Sequence, residues 1–160
     1  MKTIVLGLGN SLLKDDAIGL ILVKKLSERV NHPEIEFKTS EKVGLNLIEY
    51  LKGYEQAIII DAIITGKKAV GEIIEFSLDQ LPVSPRLRSP HDADFKSAVE
   101  LARRTGLKMP EEIIILGVEI LDNLTFEPNL SEELSSKIPH LVDAVLKRIV
   151  KAVPSQRKIY

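Results

Sequence analysis

The 160-residue chain contains no cysteine. That absence excludes disulfides, thiolate metal sites, iron–sulfur clusters and a cysteine nucleophile, and it makes the cytoplasm the expected compartment. An excess of one charge is missing as well, since 22 Lys and Arg stand against 23 Asp and Glu and no stretch gathers the basic residues into a dense patch. Proteins that bind nucleic acid by neutralising phosphates need such an excess, so nucleic acid is not an expected partner. No uninterrupted apolar run approaches the roughly 18–20 residues of a membrane-spanning helix. The first run, Ile4 to Leu8, is broken by Gly7, is followed by Gly9, and is shorter than the apolar segment of a secretory signal. Neither a membrane association nor export is expected. A G-x-S-x-G elbow and a Walker lysine–serine pair are both lacking, so the common local signatures of serine hydrolysis and of P-loop phosphate binding are absent.

What remains is a chain that is 44% hydrophobic, without internal repeats or low-complexity segments. This length suits one domain spanning residues 1–160 that encloses its own core, with a monomer as the simplest state. Thr3 to Leu8 is β-branched-rich and lacks helical spacing, which predicts a buried strand ending at glycine. From Ala17, the apolar residues Ile18, Ile21, Leu22 and Leu26 recur at helical steps until Pro33. Glu34 to Lys38 predicts a second strand, and Val43 to Lys52 a second helix closed by Gly53. Ala57 to Ile60 forms a continuous apolar run, predicting a central strand with Asp61 just beyond its end. Gly71 to Ser77 predicts a fourth strand. The link before it is too short for a crossover helix, so an antiparallel neighbour is expected.

Leu81 to Pro90 carries three prolines and predicts a loop. Ser89-Pro90-His91-Asp92 then has capping-box spacing, which places His91 in the first turn of a third helix running to about Thr105. Glu112 to Val118 predicts the last strand. The final helix presents Leu134, Ile138, Leu141, Val142, Val145 and Ile149 on one face, with Pro139 expected to kink or divide it. Together these elements predict an α/β fold: a three-layer sandwich with a mainly parallel, mixed five-stranded sheet and helices on both faces. In such folds ligands collect beyond the carboxyl ends of the strands.

Gly7-Leu8-Gly9 begins like a dinucleotide fingerprint, but Leu12 stands where the third glycine belongs. Asp15 and Asp16 lie at the mouth of the first helix, where either can cap it, and two adjacent carboxylates exceed what capping needs. The predicted topology brings Asp16, Asp61 and His91 toward one crevice. Two carboxylates and an imidazole suit divalent Ni, Zn, Mn or Fe and leave room for water or substrate. His32 and His140 lie elsewhere. Such a site supports metal-assisted hydrolysis, in which a cation polarises a carbonyl and lowers the pKa of bound water.

The chain resembles the hydrogenase maturation endopeptidases, which process the large subunit of nickel-iron hydrogenases. The resemblance is carried by Gly7-x-Gly9-Asn10-x-Leu12-x-x-Asp15-Asp16-x-x-Gly19, by Asp61-Ala62 and by Ser89-Pro90-His91. It implies a cytoplasmic endopeptidase that removes a C-terminal extension from the hydrogenase large-subunit precursor after nickel insertion. It also implies that Asp16, Asp61 and His91 contact nickel supplied by that substrate, a site that other divalent metals can occupy. Asp15 is then the candidate for a supporting or proton-accepting role. Two features depart from the family pattern. Many relatives carry Glu at the Asp16 position, and the Gly-Gly-Thr turn common after the second strand is replaced by Lys38-Thr39-Ser40-Glu41-Lys42-Val43-Gly44. A nickel-binding chaperone that holds the precursor without cutting it, and a nucleotide-binding α/β domain, are the alternative readings.

Overall fold

Isoleucine, leucine and valine crowd the middle strands because those strands are covered on both faces. In the computed structural model, which describes residues 1–88 and 94–153, every residue of β1 (Thr3–Leu8) and β3 (Gln56–Ile63) is buried. The five-stranded sheet has the order β2-β1-β3-β5-β4, where β2 is Ile35–Ser40, β4 is Ile73–Ser77 and β5 is Glu112–Glu119. The pairs β1–β2, β1–β3 and β3–β5 are parallel, while the edge strand β4 runs antiparallel to β5. The mixed sandwich expected from the alternation of elements is the observed architecture.

Side-chain alternation along the strands divides the core in two. Val5, Ile58, Ile60, Leu116 and Val118 face α1 (Ile18–Arg29) and α4 (Glu132–Ala152), meeting Leu22 and Leu26 of the first and Leu141, Val145 and Ile149 of the second. Ile4, Leu6, Ile59, Ile113 and Ile115 project to the other side, against α2 (Ile48–Leu51) and α3 (Phe95–Arg104). Each fully buried aliphatic side chain contributes roughly 1.5–3 kcal/mol. Among the described residues no helix is long and apolar enough to cross a membrane.

Two local expectations change, at the second helix and at the end of β3. The second helix is only four residues long and follows a 3-10 turn at Gly44–Leu47. β3 does not stop before Asp61 but continues to Ile63, with Asp61 paired opposite Gly117 inside the ladder. A buried acid can stand within a strand when its charge is matched, and this one is. The described part of α3 begins at Phe95, with Asp94 as its N-cap accepting from the Ser97 N–H at 2.8 Å. Ser89, Pro90, His91 and Asp92, on which the capping-box expectation rested, lie outside the described residues. Finally, α4 is one 21-residue helix with Pro139 inside it. Its buried face persists on both sides of the proline, so packing against the sheet outweighs one missing helical hydrogen bond.

Candidate active site

The parallel strands β1, β3 and β5 all end on one side of the molecule. The β1–α1 connection folds closely over that side because three glycines remove side chains that would obstruct it. A Cβ on Gly7 would lie 2.3 Å from the Gly19 carbonyl oxygen, and one on Gly9 would lie 2.6 Å from that of Asp16. A Cβ on Gly19 would meet the Leu8 and Ile60 oxygens at 2.2 and 2.5 Å. Asn10 starts the turn, its Oδ1 accepting from the Leu12 N–H at 3.0 Å. The glycine motif is therefore a close-packing device that places a 3-10 turn, Lys14–Ala17, against the strand ends. Phosphate binding there would face two buried carboxylates, so charge opposes the dinucleotide reading.

Adjacent residues on a helical turn point in different directions. Asp15 faces α4. Its Oδ1 accepts from the Ser131 N–H at 2.7 Å and its Oδ2 from the Ser131 hydroxyl at 2.9 Å. Ser131 is in turn the N-cap of α4, accepting from the Leu134 N–H at 3.3 Å. Both oxygens of Asp15 thus anchor a helix start, away from Asp61.

Asp16 points the other way and does meet Asp61. The two are joined by Arg86, from the proline-rich loop, whose guanidinium lies between them. Its Nη1 and Nη2 donate to Asp16 Oδ2 and Oδ1 at 2.9 and 2.6 Å, while Nε and Nη2 donate to Asp61 Oδ1 at 2.9 and 2.8 Å. Asp61 Oδ2 accepts from the Ser84 hydroxyl at 2.7 Å, and Oδ1 also accepts from the Ala62 N–H at 2.9 Å. All three ionic side chains are at most 5% exposed. Burial pushes the Asp61 carboxyl above its usual range, while Arg86 and Ser84 pull it down and the charge of Asp16 adds to the rise. Burial also opposes the Arg86 charge, but hydrogen bonds and attraction from the two acids outweigh it and hold the guanidinium protonated.

Asp16 and Asp61 are therefore together. His91 lies outside the described residues. His32 and His140 are remote, His32 accepting from the Glu34 N–H through Nδ1 and His140 standing exposed on α4. Among the described residues no group of three or more His, Cys, Asp or Glu is placed to hold a metal. The donors that are described fit a cation in charge and convergence, because a guanidinium already occupies the space between them. Arg86 is the site residue that the sequence reading missed.

Beside Ser84 opens a cleft of about 400 Å³ lined by Ala62, Ile64, Val83, Arg88, Ile120 and Ser84 itself. Around the same strand ends, Leu121, Leu124 and Phe126 are exposed, the last at 82%. Several large apolar side chains left in water beside a buried ionic centre mark a surface suited to another protein.

A model of the hydrogenase maturation protease family matches residues 21–148. The chain is 27% identical over 161 aligned positions to the hydrogenase 2 maturation protease of Escherichia coli strain K12, covering 98% of each chain. Its fold is similar to that of the hydrogenase maturating endopeptidase HybD from Escherichia coli, with a TM-score of 0.74, 25% identity and coverage of 95% of this chain and 94% of the other. It is also similar to the nickel-iron hydrogenase maturation protease HybD from Thermococcus kodakarensis, with a TM-score of 0.63, 29% identity and coverage of 92% and 98%.

Proposed function

The chain belongs to the hydrogenase maturation protease family, and we propose that it is the cytoplasmic endopeptidase that removes a C-terminal extension from a nickel-iron hydrogenase large-subunit precursor once nickel has been inserted. The observation that carries this reading is the convergence of Asp16, from the β1–α1 connection, and Asp61, from within β3, on one buried cation position. Nickel belongs to the substrate in this scheme. Asp16 and Asp61 would contact it, with His91 as the third protein ligand. A divalent ion held there supplies Lewis acidity, polarising a carbonyl or lowering the pKa of a bound water.

The protein's own groups supply position and environment. Ser84 fixes the orientation of Asp61 through Oδ2, and the glycine-packed turn fixes Asp16. The burial of both carboxylates keeps bulk water from competing for the cation they face. Asp15 acts at a distance by tying this turn to α4 through Ser131. The cleft beside Ser84 accommodates the extension in an extended form, and the exposed Leu121, Leu124 and Phe126 supply apolar contact with the folded part of the precursor.

The test mixes the purified protein with nickel-loaded and nickel-free precursor and follows the precursor by mass spectrometry. Loss of the extension from the loaded form alone is the expected result. Equal cleavage of both forms would refute nickel recognition. A stable complex whose precursor mass never changes would replace hydrolysis by the chaperone reading.

A further inference from the structure

Every carboxylate oxygen of the Asp16–Asp61 pair is already hydrogen-bonded. Three accept from Arg86 and the fourth accepts from Ser84. A divalent ion cannot sit between the two acids while the guanidinium fills that position. A buried Arg between two acids is costly to displace, because its charge and theirs would both lose their partner.

The loop that carries Arg86 is held independently of its side chain. The main chain around it is fixed by contacts that do not use the guanidinium. Ser84 Oγ accepts from the Arg86 and Leu87 N–H groups at 3.2 and 3.3 Å, the Arg88 N–H donates to the Ser84 carbonyl at 2.9 Å, and the Arg86 carbonyl accepts from the Gly44 N–H at 3.0 Å. Leu87 is fully buried in the core facing α3. Glu41 is exposed, accepts from the Ser11 N–H at 2.6 Å, and lies close enough to Arg86 to feel its charge.

We propose that Arg86 is the cation-selectivity residue of this site: its guanidinium occupies the position between Asp16 and Asp61, weakens the binding of dissolved divalent ions at least about a hundredfold, and yields readily to nickel presented within a docked precursor. The proposal rests on the reading above that the acid pair contacts nickel. It implies that the free enzyme resists filling with dissolved metal. An ion carried by a protein brings the binding energy of the whole docking surface to the exchange, whereas a dissolved ion brings only its own.

The experiment titrates nickel chloride into the full chain by isothermal calorimetry, comparing wild type, Arg86→Gln and Arg86→Lys, with folding followed by circular dichroism. Arg86→Gln should bind nickel at least about a hundredfold more tightly than wild type, as expected from relief of a buried pair. Arg86→Lys, which keeps the charge but cannot bridge both acids with a fork, should fall between them. Equal affinity in all three overturns the proposal while leaving the acid pair as a metal site. Nickel binding by Arg86→Gln that survives Asp16→Asn and Asp61→Asn together, or no binding at all, overturns both the proposal and the metal reading. Should the variants fail to fold, NMR of the wild type provides the readout. At cadmium concentrations that fill its acid pair, the Arg86 Nε–H should lose its protection from solvent exchange. An Nε–H that stays protected with the ion bound between the acids refutes the proposal.

Discussion

One methyl group added at Gly19 should push α1 away from the sheet. In Gly19→Ala the new Cβ would lie 2.2 Å from the Leu8 carbonyl oxygen, 2.5 Å from that of Ile60 and 3.1 Å from the Leu8 nitrogen. All three are main-chain atoms of the two central strands, so no side-chain rotation relieves them. The helix must retreat by about 1 Å to restore ordinary van der Waals separation. Overpacking of this kind costs about 1–3 kcal/mol and sometimes more, against a gain of about 1 kcal/mol from replacing glycine within a helix. With rigid carbonyls on two strands, the upper part of that range applies, and the net loss is about 2 kcal/mol. For a chain of this length that lowers the melting temperature by roughly 4–8 °C. Because α1 carries the Asp15–Asp16 turn at its start, precursor processing should slow as well. Urea unfolding followed by circular dichroism measures the loss. A midpoint equal to or above that of wild type would show that the turn is not held by close packing.

Two further outcomes follow from the same geometry. Asp15→Ala leaves the Ser131 N–H and hydroxyl without their partner and should cost about 1–3 kcal/mol in urea unfolding. Asp15→Asn keeps an acceptor there and should process precursor normally, so loss of processing at unchanged stability would restore a proton-accepting role to Asp15. The Asp122 carboxyl, hydrogen-bonded by the Thr125 hydroxyl and by the Thr125 and Leu124 N–H groups, is held down to about 2. A folded-state value below the ordinary 3.8 means that these contacts stabilise fully above pH 3.8 and lose their effect as pH falls toward about 2. Carboxyl carbon shifts in an NMR titration report this directly, and a midpoint near 3.8 would refute it.

The strands and long helices were legible in the sequence because their apolar periodicity is a local signal. The pairing of Asp16 with Asp61 was legible through topology, since Asp16 follows β1 and Asp61 lies near the end of β3, and the carboxyl ends of these parallel strands share one side of the sheet. Arg86 was not legible. It sits among prolines in a segment without periodicity, and nothing in Pro85-Arg86-Leu87 distinguishes a buried guanidinium from a solvated one. The available signal was charge balance: two acids placed at buried positions need a cation between them, and a nearby loop arginine is the natural source. Asp61 was placed beyond its strand for a related reason. A carboxylate reads as a strand boundary unless its partner is known, and its partner was Arg86. The role of Asp15 was hidden because Ser131 is distant along the chain, although Ser131-Glu132-Glu133 itself reads as a helix start.

On the function proposed here, Asp16 and Asp61 act as one unit on a single cation. Single-turnover processing of nickel-loaded precursor by Asp16→Asn, Asp61→Asn and the double variant tests it most directly, with each protein first shown to be folded. Residues that act as a unit lose their function together, so each single change should slow processing at least about a hundredfold and the double should be no slower than either. Near-normal processing by either single variant, or losses that multiply in the double, would contradict the claim.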